Sequence, residues 1–492
     1  MSQHALIASV IFALAMIATV VIGLWSGRGR EKSMTEWSVS SRGLGLIFVL
    51  ILMSGETYTS FSFLGTAGWA YRYGVPILFL IGYVSSGFAA AYVVAPLIWT
   101  YCKRHDLVCI SDIAEHRFRS RGLGILVTVL CTIFLVPYIQ LQIQGMAVVV
   151  HAMSYNAIDL ATASVVSFVV TEAFVLVSGL RGSAWVSVFK DGLVVVCIVF
   201  MAVYFPLHYF GGLREFVDRM IAEKAQWLTF PGHGTGEFGA TWFVSTIVLN
   251  ALTINIFPTM VSGFLSAKSP NSLRRNSIVL PWYQLLLIVP MMIGCMALFV
   301  VPALKDSDLA LYRLVTDSLP SPIVAAVGVA GALSAIVPMS VFMLVIGTMW
   351  GRTVIGSKAT GANKSAAQNV GQRRLAQLVC LCVGVVALAA SLSVPELLVN
   401  LSVFSYEGMA QLVPIILLSL YWPRMSKEAG IAGLVAGAAV VILLHYTGED
   451  PIWGINGGLI ALAVNLVLVW VAVQLHPDPR AVANSASVAQ RN

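Results

Sequence analysis

Long apolar runs alternate with short polar connections along nearly the whole 492-residue chain. A helix needs about 20 mostly apolar residues to cross a bilayer. Runs of that kind occur at Ala5–Trp25, Leu44–Tyr71, Ile77–Tyr101, Leu123–His151, Ala161–Leu180, Gly192–Phe210 and Thr241–Phe264. They continue at Ile278–Ala303, Ile323–Trp350, Ala376–Leu392, Val394–Trp422, Ile431–His445 and Trp453–Gln474. The pattern predicts an all-α integral membrane protein with about 13 transmembrane helices. The first run is longer than the ~7–15 residue core of a signal peptide and lacks a positive leader, so it reads as a retained span.

Two runs are interrupted. In Ile47–Tyr71 the middle reads Ser54-Gly55-Glu56-Thr57-Tyr58-Thr59-Ser60. Glycine and hydroxyl residues loosen a helix, and a carboxylic acid at mid-membrane is costly unless it faces protein or water. Non-helical backbone is tolerated there only when it is buried in protein or lines a cavity. The seventh run carries Asn250, Thr253, Asn255, Pro258 and Thr259, and proline frees a carbonyl one turn back. Spans two to six and seven to eleven then form two five-helix halves, about 44–210 and 241–422, each opening on a broken helix. This is the pattern of an inverted-repeat secondary transporter. The plainer alternative is a bundle with two kinked helices packed by small polar residues.

Composition agrees with a membrane domain. Residues are 58% hydrophobic and only 10% charged, whereas soluble chains are about a quarter charged. Residues 1–476 read as a single transporter domain, and 477–492 as a short disordered cytoplasmic tail. The net charge of +7 is explained by loop placement. Counted over alternate loops, 23 of the 29 basic residues, Arg181 and Lys190 among them, fall on one side and 6 on the other. By the positive-inside rule this places the N-terminus outside. No basic stripe with interleaved aromatics suggests nucleic acid, and no obligate protein partner is evident. The seven cysteines lack metal spacing and read as packing residues. In the outer segment 211–240, Leu213, Phe216, Val217, Met220 and Ile221 recur at helical spacing, which predicts a surface amphipathic helix. His233, in the same segment, reads as solvated.

Three stretches, FSFLGTAGWAY, Gly179-Leu180-Arg181-Gly182-Ser183-Ala184 with Lys190-Asp191 beyond, and FLSAKSPNSLRRNS, resemble the sodium:solute symporter family. Within it they are most similar to the bacterial monocarboxylate permeases. The resemblance implies a leucine-transporter-like five-plus-five core with one leading and two trailing helices. It also implies a sodium site between spans two and nine, with Gly55 and Tyr58 supplying backbone carbonyls. On span nine the family's Ser-Ser or Ser-Thr pair falls on Ile336 and Val337, with Pro338 following. Hydroxyls suit a hard cation, and these two residues have none. Either Ser334 and Ser340 with freed carbonyls serve instead, or the coupling ion is H+ rather than Na+.

Glu56 is a proton-carrier candidate, since buried carboxyls can titrate near neutrality; the alternative is a structural acid holding loosened backbone. Glu172 and Glu407 read as structural. Candidate solute ligands are Thr57, Thr59, Ser60, Gln142, Asn255 and Thr259, with Trp69, Phe61 and Phe63 as gate or packing residues. Half-helix N-termini favour a carboxylate, though that argument fits any small acid. Monocarboxylate rests on resemblance alone. An enzyme is disfavoured by the lack of HExxH, P-loop or nucleophile-elbow patterns. The short segment after His476 leaves no room for a fused sensor kinase, and a passive channel fits two broken helices less well. The reading is an importer in a bacterial inner membrane, without cofactor, coupled to Na+ or H+ and carrying a monocarboxylate such as pyruvate or lactate. An amino acid or pantothenate is the alternative cargo.

Overall fold

A computed structural model describes residues 3–26, 39, 42–234, 236–355 and 366–479. Among them there are helices, turns and two isolated β-bridges, with no strand. The leading helix α1 is Gln3–Ser26. The first broken span comprises α2 (Leu46–Gly55), a π-helical turn at Phe61–Gly65 and α3 (Thr66–Tyr73). Then come α4 (Phe79–Arg104), the short α5 (Ile110–Phe118), α6 (Arg121–Met153) and α7 (Leu160–Phe210). The predicted outer amphipathic helix is α8 (Leu213–Glu223): Phe216 and Met220 are buried while Leu213, Val217 and Ile221 stay exposed.

The second half opens with α9 (Ala240–Ile254) and α10 (Pro258–Ser266), which meet at 42°. It continues with α11 (Pro270–Gln284), α12 (Ile288–Val300), α13 (Ala310–Ser318) and α14 (Ser321–Ile355). Next are α15 (Ala366–Ser393), α16 (Leu398–Ala410) and, after a π turn at Pro414–Leu418, α17 (Ser419–Tyr421). The trailing helices are α18 (Lys427–Thr447) and α19 (Gly457–Leu475). Nine described helices are long and apolar enough to span a bilayer, ten if α9–α10 is one bent span. Three shorter apolar helices, Leu6–Thr19, Leu46–Gly55 and Leu160–Leu176, lie on further predicted runs.

The helical stretch α7 covers 51 residues, over twice the roughly 20 that one crossing of a bilayer needs. Its contacts show how it fits. Gln377 donates to the Leu176 carbonyl at 3.0 Å, and Gly384 lies against Phe168 and Glu172, so the first part runs antiparallel to α15. Helix α14 is also antiparallel to α15, through Cys380 Sγ on the Met343 carbonyl and Gly347 beside Ala376. Yet the second part of α7 is antiparallel to α14: Ser183 meets Ser340 at 2.6 Å and Tyr204 donates to the Ser318 carbonyl. The chain therefore changes direction between 176 and 183, its first part on α15 and its second on α14.

Helix α14 sits at the centre. Its apolar window is fully buried, whereas those of α15 and α19 are one-third buried and face lipid. Its sequence VAAVGVAGALSA explains this, because small residues let helices approach closely where no hydrophobic drive separates protein from lipid.

Several loop basic residues finish helix ends. Arg121 donates to the Thr353 and Val354 carbonyls of α14, and Arg117 to those of Ser419 and Trp422. Free carbonyls at helix C-termini favour such cations. Lys190 is different. Counted among the inner loop residues in the sequence, it is fully buried inside α7, and it leaves the charge asymmetry to the true loops. Arg28, Arg30, Lys32, Lys358, Lys364, Arg480, Arg491 and the tail from 480 onward lie outside the described residues.

Asp112 ties α5 to the end of α14, accepting from Arg352 Nε at 2.9 Å and from the Val108 N–H at 2.9 Å, with both side chains over nine-tenths buried. Removing one partner strands the other charge. Asp112→Ala is expected to cost about 3–5 kcal/mol, read as a lowered thermal midpoint in detergent; an unchanged midpoint would show the pair to be solvated.

Candidate solute and cation site

The two broken spans cross in opposite directions. On one side Leu44 bridges to Ala267, with the Leu44 N–H on the Ser266 carbonyl at 3.1 Å. At the breaks Glu56 and Thr259 line one small cavity. On the other side Trp69 packs on Trp242 at 5.5 Å between ring centroids. As residue numbers rise along the first span they fall along the second. Two breaks that the sequence places 200 residues apart thus become one locus.

The first break satisfies much of its own backbone. Thr57 Oγ1 donates to the Ser54 carbonyl at 2.7 Å and accepts from Gln284 Nε2 at 2.9 Å. The Thr59 N–H donates to Ser62 Oγ, and Thr59 Oγ1 accepts from the Phe61 N–H. The Ser60 N–H reaches across to Gln142 Oε1 on α6 at 3.3 Å. Ser60 Oγ and Gln142 Nε2, both buried, have no partner. Gln144 is unpartnered as well, whereas Gln140 is spent on the Val394 carbonyl.

A small cavity of about 10 Å³ lies at the crossing, lined by Glu56, Thr57, Thr259, Tyr138, Phe257 and Tyr406 among others. That is room for about one water. Of the expected solute ligands, Thr57 and Thr259 line it and Ser60 pairs with Gln142. Asn255 does something else: its amide donates to the Gly87 carbonyl on α4 at 2.9 Å and holds the second break in place. Phe61, Phe63 and Trp69 are buried packing residues, Trp69 within an aromatic cluster with Tyr73, Phe79, Phe238 and Trp242.

The expected cation ligands are placed unexpectedly. The Gly55 and Tyr58 carbonyls both accept from Lys190 Nζ, each at 3.1 Å, and Asp191 Oδ1 lies 3.1 Å from the same nitrogen. Asp191 Oδ2 accepts from Ser54 Oγ at 2.9 Å, and the Tyr58 hydroxyl donates to the Tyr283 carbonyl. Ser334 Oγ donates to its own helix at the Ala330 carbonyl, and Ser340 Oγ bonds the Val337 carbonyl and Ser183 Oγ. Ile336 and Val337 are buried and offer no side-chain oxygen. The residues present do not fit a sodium ion at this position. Its two carbonyls are taken, and two unit charges about 4 Å apart repel by about 4 kcal/mol at an effective dielectric of 20.

A family model, the sodium:solute symporter family, matches residues 37–437. The chain belongs to that family. It is 32% identical to the uncharacterized symporter YhjB of Bacillus subtilis, over 97% of this chain and 99% of that one. It is 24% identical to a monocarboxylate transport permease protein of Rhizobium johnstonii, over 95% of this chain and 96% of the relative. A Na+-coupled sialic acid symporter, solved substrate-bound and outward-open, superposes with a TM-score of 0.78 at 14% identity, covering 96% and 98% of the two chains. The fold is therefore the leucine-transporter-like fold, and the protein is a symporter, not an enzyme, of the bacterial plasma membrane.

In this symporter the end of the first broken span at Tyr71 and Tyr73 is covered. Trp227 Nε1 donates to the Tyr71 carbonyl, and the His233 N–H to the Tyr73 carbonyl. His233 is exposed, as expected of a solvated loop residue, and its ring stacks on Trp227 at 3.9 Å. In the connection between α12 and α13, Asp308 packs on Gly68 so closely that a Cβ there would lie 2.5 Å from Oδ1. Asp308 Oδ2 accepts from the Leu398 N–H at 3.1 Å. Burial, helped by Asp306, pushes the Asp308 carboxyl up to about 7.

Sequence reasoning missed Lys190 and Gln284 as site residues. A signal for Lys190 existed: Ser183, Ser187 and Lys190 recur at i, i+4 and i+7 in an apolar run, which puts them on one helix face. Glu407 has the structural partner expected, with Asn456 donating to it at 2.8 Å. Both oxygens of Glu172 lack one.

A raised acid in the folded state stabilises most below its unfolded pKa, and that contribution is lost as pH rises through the folded value. Asp308→Asn should therefore match wild type in thermal midpoint near pH 4 and exceed it above pH 7; equal midpoints at pH 8 would refute the placement. Gly145 on α6 is so close to Ser60 that a Cβ would collide with it. Gly145→Val is expected to abolish solute uptake by prying α6 from the break while the protein still reaches the membrane. Wild-type uptake by that variant would show that this contact plays no part in transport.

Proposed function

We propose that the symporter imports a small monocarboxylate such as pyruvate or lactate with Na+ or H+ by alternating access. The observation that carries this reading is the pair of buried, unpartnered donors, Gln142 Nε2 and Ser60 Oγ, at the start of the outer half-helix. A buried unsatisfied donor costs about 1–3 kcal/mol, and a carboxylate oxygen supplies the acceptor. Thr57 and Thr259 add hydroxyls, and α10 directs its N-terminal end toward the same locus, where anions are favoured. The cavity between Tyr138, Phe257, Phe342 and Tyr406 suits a solute of a few heavy atoms once the halves part. The name of the Rhizobium relative points the same way.

In this reading thirteen spans cross the membrane with the N-terminus outside, and residues 44–210 and 241–422 are the rocking repeats. Gly55, Tyr58, Ser334 and Ser340 belong to the cation side of the site, Glu56 to coupling, and Asn255 to its scaffold.

Uptake of labelled pyruvate into proteoliposomes under an imposed cation gradient, with lactate as competitor, tests the assignment. Thr259→Val should raise KM several-fold with little change in expression, as expected for one lost hydrogen bond of about 1 kcal/mol. Competition by proline or pantothenate, and none by lactate, would replace the cargo.

A further inference from the structure

We propose that the Lys190 ammonium is the cation of the coupling site, standing where the family's sodium would bind, so that no sodium ion is taken up at this position. The inference concerns the coupling side of the proposed symport site and does not depend on the identity of the solute.

The first support is geometry. Lys190 is fully buried, and its Nζ bridges the Gly55 and Tyr58 carbonyls, which flank the break. A cation held by carbonyls of a broken helix is what such a site is built for. Here the cation is covalently attached to α7. Gly55 itself fits the arrangement, since a Cβ would come within 3.2 Å of Nζ. The second support is the facing wall. On α14, Ile336 and Val337 provide no oxygen, while the hydroxyls of Ser334 and Ser340 are engaged with their own helix. A hard ion that seeks several oxygen ligands finds two carbonyls here, both occupied.

A tethered ammonium cannot leave with the solute, so it holds the break as a fixed cation. The groups facing it are Asp191 on its own helix, Glu56 and Tyr58 at the break, and Tyr283 of α11 behind Tyr58; Ser187 lies on the Lys190 face of α7.

The test uses full-length protein. Amide exchange of residues 52–62 in detergent is compared in NaCl and in choline chloride at equal ionic strength, with no solute added. No difference is expected, and protection by NaCl at millimolar concentration would overturn the proposal whatever the solute is. In proteoliposomes, uptake should be indifferent to replacing sodium with choline, and uptake that requires sodium would overturn the proposal. If pyruvate is not carried, the exchange experiment still decides the cation, while the cargo assignment falls separately.

Discussion

Hydrocarbon offers nothing to a backbone carbonyl that has lost its helical partner. A transporter must nevertheless break a helix at mid-membrane, because only there can a site be reached from either side in turn. In this chain the cost of the first break is met from α7: one ammonium takes two freed carbonyls, Asp191 takes the ammonium, and Ser54 takes the other oxygen of Asp191. A buried charge pair is better tolerated when hydrogen bonds surround it, and this one has three further partners, the Gly55 and Tyr58 carbonyls and Ser54 Oγ. The change of direction in α7 between 176 and 183 follows from the same requirement. It returns the chain beside α14 with Ser183, Ser187 and Lys190 in one row against the break.

The second break is held differently. Asn255 reaches back to α4, Pro258 starts α10 where a missing N–H does no harm, and Thr259 shares a small cavity with Glu56. No cation is present on that side. The two halves are alike in path but unequal in electrostatics: the charge lies with the first break and the neutral donors lie between the two. Separation of this kind lets an anion and a cation be held at once without competing for the same ligands.

How much of this was readable in advance depends on the kind of signal. Both broken spans were legible, because Gly55, Glu56 and Pro258 are wrong for a helix in lipid whatever surrounds them. The missing hydroxyls at Ile336 and Val337 were legible too, as a gap with no explanation. Lys190 was not. Beside Arg181 and before an apolar run it reads as the last residue of an inner loop, and only the position of α7 against α2 shows otherwise. The same limit applies to Asn255, whose polarity at the break suggested a ligand but whose amide is consumed by the Gly87 carbonyl. Local composition marks where backbone fails; it does not say which distant side chain repairs it.

The repair explains the gap. A sodium site needs hydroxyls on α14 because a bare ion must be surrounded, whereas an ammonium carries three directed N–H groups and is complete with two carbonyls and a carboxylate. Once Lys190 occupies the carbonyls, serine or threonine at 336 and 337 would have no ion to serve. Isoleucine and valine are then the better residues, and Pro338 is tolerated since no ligand geometry on that turn has to be kept. Lysine on α7 and aliphatic side chains on α14 are two sides of one substitution of a fixed cation for a diffusing one.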